Sequence, residues 1–397
     1  MKRILFVDDE PAILEGLRNL LRSQRKVWQM SFAASGEEAL QILAVEPYDV
    51  VVSDMRMPRM DGATLLRHVK ERYPRVARIV LSGHTELESA LRTVPFAHQF
   101  LGKPCDGECL RSVIQRTCDL QTLLHDENLR RRVGQITRLP SAPRVYVALT
   151  KALSDPEVSL REVAALIESD MAMSAKVLQV VNSAFFGLPR RLSNMLEAVS
   201  YLGMGVIKNL VLSVEAFREL RGGEAAKGFD FDRVQRQCFV TGRIAQRLLS
   251  NRHEAQDAFV AGTLHELGTL ILATREPLEF AIVDAQALAR EVPRHVVERE
   301  AGGVSHAEVG AYLIGLWGLP YGIAEAVAYH HDPMRTDPTR FGVVEAVHCA
   351  AALASEAIGL AGFHEPPEPR LLERLGLQHA LPGWREIARE EACRVEV

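Results

Sequence analysis

Four short runs early in the chain each end on a residue with useful chemistry. Residues 4–7 lead into Asp8-Asp9, Val50-Val51-Val52-Ser53 into Asp54, Arg78-Ile79-Val80-Leu81 into Ser82, and Gln99-Phe100-Leu101-Gly102 into Lys103. Mostly apolar segments of this length, separated by helix-like stretches, read as buried parallel strands alternating with helices. In an open parallel sheet the carboxyl ends of the strands line one crevice, where ligands bind. The pattern therefore gathers Asp8, Asp9, Asp54, Ser82 and Lys103 at one edge although they lie far apart in sequence. Carboxylates held that close repel one another, which makes sense mainly as a hard-cation site whose oxygen ligands suit Mg2+. With a lysine beside them, they would stabilise the charge of a phosphoryl group moving onto Asp54.

The stretch Asp54-Met55-Arg56-Met57-Pro58-Arg59-Met60-Asp61-Gly62, with the acidic pair and Ser82 and Lys103 in this order, resembles the receiver domain of two-component response regulators. The resemblance covers roughly the first 120 residues and implies a doubly wound, five-stranded parallel sheet of the flavodoxin-like kind. It makes Asp54 the phosphoacceptor and Asp8 and Asp9 metal ligands, with the Arg56 backbone carbonyl as a further ligand to Mg2+. It casts Ser82 as the hydroxyl that follows the phosphoryl group, Lys103 as its ion-pair partner and Phe100 as the aromatic switch residue. An ordinary α/β domain with acids scattered in its loops is the bland alternative, and the order and spacing of five positions argue against it.

A chain of 397 residues exceeds what one core usually organises, and 47% apolar with 25% charged residues is ordinary globular usage. The net charge of -4 gives no general attraction to nucleic acid or to an anionic membrane. The main basic run, Arg130-Arg131-Arg132, reads as the solvated face of a linker helix. Six cysteines form neither a CxxC motif nor a dense framework, so reduced thiols and a cytoplasmic location are expected. The N-terminus reads as neither a signal peptide nor an anchor, and no run of 18 apolar residues occurs.

The last helix of the first domain is expected over 110 to about 124, running on through the charged stretch 125–132. Leu139-Pro140-Ser141-Ala142-Pro143 then breaks the chain and opens a region without strand alternation, helical to about residue 361. Ser35 with Glu38, Ser159 with Glu162 and Ser305 with Glu308 are capping-box signatures. The proline-rich stretch 363–370 sets off a tail expected to pack as one or two helices. The expected division is 1–122, a helical linker over 123–138, a second domain over 139–362 and a helical tail over 363–397.

The second region carries histidines in three places: Gly262-Thr263-Leu264-His265-Glu266-Leu267-Gly268, His306-Ala307-Glu308-Val309-Gly310 and Tyr329-His330-His331-Asp332-Pro333. Histidine and acid on facing helices build metal sites in all-α proteins. These segments look like those of HD-superfamily hydrolases and their HD-GYP phosphodiesterase branch, but the set is broken. Gln237 stands where the first histidine is expected, Glu266 replaces aspartate, Thr269 the lysine, and Ala351 the last aspartate. No Gly-Tyr-Pro follows His331. A fuller likeness runs from Leu139 through Ile167-Glu168-Ser169-Asp170-Met171 and Val180-Val181-Asn182-Ser183-Ala184-Phe185-Phe186-Gly187 to Ala198-Val199-Ser200-Tyr201-Leu202-Gly203, and it resembles the HDOD domain, an HD-related output domain commonly regarded as lacking hydrolase activity.

The resemblance implies a degenerate HD site at Gln237, His265, Glu266, His306, His330 and His331, with no metal expected there. His265 in an apolar segment is more simply a hydrogen-bonded core histidine. The expected fold is α/β followed by all-α, and the expected function is a non-enzymatic response regulator. A sensor histidine kinase would phosphorylate Asp54, and the HDOD surface would bind another signalling protein, with a second copy of the chain as a further candidate partner and neither nucleic acid nor membrane involved. The alternative from another class is a receiver-controlled, metal-dependent phosphohydrolase acting on a cyclic dinucleotide. A transcription factor is a weak third option, since no basic recognition face is legible.

Overall fold

The computed structural model describes residues 1–83, 96–103, 107–123, 139–141, 148–149, 151–153, 155, 157–182, 188, 191–212, 217–219, 229–359 and 365–394. Strand β1 (Lys2–Val7), helix α1 (Pro11–Leu20), β2 (Trp28–Ala33), α2 (Gly36–Val45), β3 (Val50–Asp54), α3 (Gly62–Arg72), β4 (Ala77–Gly83), β5 (Gln99–Lys103) and α4 (Gly107–Leu123) form the N-terminal half. The sheet is parallel throughout, in the order β2-β1-β3-β4-β5. Ile4 to Val7 in β1 and every residue of β3 are buried, as a sheet covered on both faces requires.

The registers put the chemical residues on one line. Val7 pairs with Ser53, so Asp8 lies level with Asp54. Asp54 pairs with Leu81, Ser82 with Gly102 and Gly83 with Lys103, so all four strand ends meet within a residue or two of one another. Local signals act as the sequence suggests. The Ser35 hydroxyl accepts the Glu38 N–H at 3.2 Å, while the Glu38 carboxylate reaches back to Ala34 N–H, one residue earlier than a standard capping box. Asp61 caps α3 by accepting Thr64 N–H at 2.8 Å. Gly62 is required because a Cβ there would lie 2.1 Å from the Asp54 carbonyl oxygen.

The C-terminal half consists of helices α5 (Leu160–Glu168), α6 (Met171–Val181), α7 (Met195–Leu212), α8 (Phe231–Leu248), α9 (Arg252–Leu264), α10 (Leu267–Arg275), α11 (Pro277–Arg290), α12 (Arg294–Gly302), α13 (His306–Leu316), α14 (Tyr321–Tyr329), α15 (Val343–Ile358), α16 (Pro369–Leu375) and α17 (Leu381–Arg394), with a small strand pair β6 (Leu139–Ser141) and β7 (Phe217–Glu219). That parallel pair departs from the expectation of a strand-free region. Three residues are too few for alternation to be read, although a residue before proline is already biased toward extended backbone. The segment 258–272, which reads as one apolar run, is broken into α9 and α10 at His265 and Glu266. Every residue of α6 is buried. The linker expected over 123–138, with Arg130-Arg131-Arg132, lies outside the described residues beyond Leu123, and so does 183–187 beyond Asn182.

The tail forms α16 and α17, with α17 packed on α8 and α15. Its Glu391 is 1% exposed and receives Arg243 Nε at 3.2 Å, Arg247 Nη1 at 2.9 Å and Arg394 Nη1 at 2.7 Å, and Trp384 stacks on Phe341. One contiguous apolar core extends from β1 to α17 and so includes both halves. The halves meet where α4 packs on α13 and where Gln179 of α6 donates to the carbonyls of Ala97 and His98, just before β5, at 3.4 and 3.2 Å.

Candidate functional sites

At the carboxyl edge of the sheet, Lys103 bridges two acids. Its ammonium donates to Asp8 Oδ2 at 2.7 Å and forms a close ion pair with Asp54 Oδ1. The other oxygen of each carboxylate takes a backbone N–H: Asp54 Oδ2 from Arg56 at 2.7 Å, Asp8 Oδ1 from Glu10 at 3.0 Å. Asp9 lies half-buried beside them, Ser82 is buried at the end of β4, and Phe100 is buried on β5. Burial pushes the Asp54 carboxyl above its usual range, against the pull of Lys103 and with the Asp8 charge adding to the rise. Burial works against the Lys103 ammonium too, but Asp54 and Asp8 overcome it and raise that group. An all-oxygen set from Asp8, Asp9, Asp54 and the Arg56 carbonyl has the chemistry that Mg2+ prefers.

The histidines of the second half converge on one cavity of about 680 Å3, whose walls include Gln237, His265, Glu266, His306, His330 and His331. His265 sits between α9 and α10, His306 opens α13, and His330 follows α14. Three imidazoles are held by Nδ1. His265 bonds the Gly262 carbonyl at 2.6 Å, His330 the Val327 carbonyl at 2.8 Å, and His306 the Glu298 carboxylate at 2.6 Å. Glu266 lies between them, 3.8 Å from His265 Nε2 and 3.7 Å from His306 Nε2, and takes the Thr269 hydroxyl. His331 Nε2 faces His306 Nε2 at 3.0 Å, with the His295 ring stacked on the other side at 4.0 Å between centroids.

The charges inside this cavity are uneven. Burial lowers His265, His330 and His331, and pushes His295 down to about 4. Burial also opposes charge on His306, but Glu298 and Glu266 reverse the sign and raise it. Glu266 would rise by burial, yet the imidazoles of His306, His265 and His330 hold it well below the usual carboxylate range. With His265 and His330 kept neutral, His306 is the partner best able to do this. Gln237 donates to Ser355 at 3.2 Å and Ala351 also lines the cavity, so these two departures from the hydrolase pattern face it, as Glu266 does.

Glu298 escaped the sequence reading. Its importance comes from a fold that brings α12 against His306, and its only sequence signal was an acid following Val296-Val297. His295 and Glu365, which lies 3.6 Å from His331 Nδ1, were missed for the same reason.

Two family models match segments of the chain: the response regulator receiver domain over residues 4–115 and the HDOD domain over residues 139–333. The chain is a response regulator with a receiver domain and an HDOD domain. An uncharacterized protein of Treponema pallidum is 30% identical over 233 residues, which cover 57% of this response regulator and 44% of the relative. The hydrogenase transcriptional regulatory protein HoxA of Cupriavidus necator is 34% identical over 125 residues, covering 31% and 25% of the two chains. The response regulator thus spans less than half the length of these curated relatives. Among solved structures, the MmoQ response regulator of Methylococcus capsulatus aligns with a TM-score of 0.50 at 21% identity, over 62% of this chain and 98% of the other. A virulence factor of Campylobacter jejuni aligns with a TM-score of 0.51 at 18% identity, over 68% and 97%. At such identities these two show the fold. Among the described residues of this response regulator, no helix is long and apolar enough to cross a membrane.

Proposed function

We propose that a sensor histidine kinase phosphorylates this response regulator on Asp54, and that the HDOD domain reports the event to another signalling protein without hydrolysing a substrate of its own. The observation that carries the proposal is Lys103 bridging Asp8 and Asp54 at the edge where four strand ends meet. An Asp54 carboxylate oxygen bonds to phosphorus as the bond from phosphorus to the kinase imidazole breaks. The electron pair of that bond stays on the imidazole, which takes up a proton from water. Asp8, Asp9, Asp54 and the Arg56 carbonyl would hold Mg2+, which would supply positive charge to offset that of the phosphoryl group. Lys103, already beside Asp54, exchanges a carboxylate oxygen for a phosphoryl oxygen. The Ser82 hydroxyl follows the phosphoryl group and Phe100 packs behind it.

The route outward is short. Lys103 ends β5, the Ala97 and His98 carbonyls that Gln179 holds lie just before it, and α4 packs on α13, whose first residue is His306. A receiver biased between two states by phosphate contacts of a few kcal/mol is enough to alter this packing. Gln237 and Ala351, which bring neither imidazole nor carboxylate to the cavity, support a non-hydrolytic HDOD domain. The kinase, an HDOD-bound signalling protein, a second copy of the chain and a cytoplasmic setting complete the proposal. Treatment with acetyl phosphate and Mg2+ is expected to add one acid-labile phosphoryl group per wild-type chain and none to Asp54→Asn. Equal labelling of the two proteins would refute the assignment, and metal-dependent turnover of a generic phosphodiester, lost in His265→Ala, would refute the silent output domain.

A further inference from the structure

Helix α11 is apolar on the side that faces solvent as well as on the side that faces the core. Phe280 and Ala287 turn inward and are buried, with Val283 half-buried beside them. On the opposite side Leu278, Ile282, Ala285 and Ala289 form a stripe of exposed residues at spacings of four, three and four, and Leu288 borders it. Leu278 is 81%, Ile282 58% and Leu288 73% exposed, three of the ten large apolar side chains left exposed among the described residues. Scattered singly, such residues need no explanation, but a continuous stripe of them marks a contact. A helix that is apolar all round is normally a buried one. Charges on the flanks of α11 are already neutralised within the chain by α12: Asp284 accepts from Arg294 at 2.7 Å, and Arg290 donates to Glu300 at 3.0 Å.

We infer that the outer face of α11 is a self-association surface, on which the α11 of a second copy of this chain packs antiparallel about a twofold axis. Spacings of four, three and four read the same in both directions, and they are the spacings of a seam between two helices. Reversed on itself, the stripe sets Leu278 against the partner's Ala289 and Ile282 against the partner's Ala285, so every large side chain meets a small one. A twofold interface needs this self-complementarity, whereas contact with a different protein does not call for it. Ala281 then neighbours the partner's Leu288 along one border and Glu279 the partner's Gln286 along the other, so like charges do not face each other. A helix of 14 residues is about 21 Å long and about 10 Å across. Such a strip falls short of the about 800 Å2 per partner that a standard interface covers, so the dimer is weak and concentration-dependent. Through Phe280, Asp284 and Ala287 the same helix walls the histidine cavity, so association sets the two cavities on either side of the paired helices.

Pairing through α11 rests on the second-copy part of the function proposed above and is independent of phosphoryl transfer to Asp54. The test is sedimentation equilibrium of the full-length chain over a dilution series. Wild type and Asp54→Asn are both expected to rise with concentration from the 44.1 kDa of one chain toward twice that mass. Ile282→Glu, at an exposed position that the fold of one chain does not need, should weaken association at least about tenfold by placing an unpaired carboxylate in the seam. The double variant Ile282→Glu/Ala285→Lys should recover it, because the antiparallel register sets each introduced acid against the partner's introduced base. Dimerisation unchanged in Ile282→Glu would overturn the α11 surface while leaving a second copy to bind elsewhere. Loss in Ile282→Glu without recovery in the double variant would overturn the antiparallel pairing. A monomer at every concentration would overturn both the surface and the second-copy reading. Alkylation of Leu278→Cys would then separate a stripe covered by the chain's own residues, with the thiol protected, from one left open to a different protein.

Discussion

Lys176 is a charge placed where water barely reaches. It is 2% exposed on α6, with its ammonium 3.1 Å from Gln179 Oε1 and 4.6 Å from the centroid of the Trp317 ring. Burial pushes its pKa down to about 7, and the positive charge of Lys70 adds to the fall. The same group in the unfolded chain titrates near 10.4. Between those values the unfolded state keeps a proton that the folded state has lost, so stability rises with pH across that window and the penalty is constant below about 7. Urea denaturation of wild type is therefore expected to give a higher unfolding free energy at pH 9 than at pH 7, by roughly 2 kcal/mol. Lys176→Met, which keeps the stem over Trp317 and removes the charge, should be more stable at pH 7 and nearly flat over the same interval. A wild-type profile that matches Lys176→Met would contradict this account. Nothing around Lys176-Val177-Leu178-Gln179 in the sequence announces it, since a lysine within an apolar helix is indistinguishable there from one that reaches solvent.

Elements were legible where a local rule dictates them. The strand ends, the caps at Ser35 and Ser159 and the helix start at Ser305-His306 follow from neighbours within four residues, and the structure reproduces them. The break at His265-Glu266 was not legible, because apolar periodicity runs through it unchanged and only the position of α13 explains it. Gly268, just after the break, packs so closely on that helix that a Cβ would lie 1.9 Å from the His306 carbonyl oxygen. Backbone cannot yield as a side-chain tip can, so Gly268→Ala is expected to cost at least about 1–3 kcal/mol in urea denaturation. A Gly268→Ala protein with wild-type stability would remove this contact from the account. Glu298 belongs with the illegible part. It matters through its bond to His306, a relation between two helices that no local spacing encodes.

At the scale of the whole molecule, the two family segments were readable from motifs, whereas their common packing was not. The receiver touches the HDOD domain through Gln179, which holds the Ala97 and His98 carbonyls, and through α4 against α13. Those contacts lie on the flank of the sheet that carries Phe100 and Lys103, so a change at Asp54 and a change at the cavity share one mechanical neighbour. The central claim is that the state of Asp54 reaches the HDOD domain through this flank. Hydrogen–deuterium exchange with and without beryllofluoride in Mg2+ tests it most directly. The account predicts altered exchange in peptides spanning 99–123, 171–181 and 306–316 of wild type, and none in Asp54→Asn. A response confined to residues 1–123, with 171–181 and 306–316 unchanged, would contradict it.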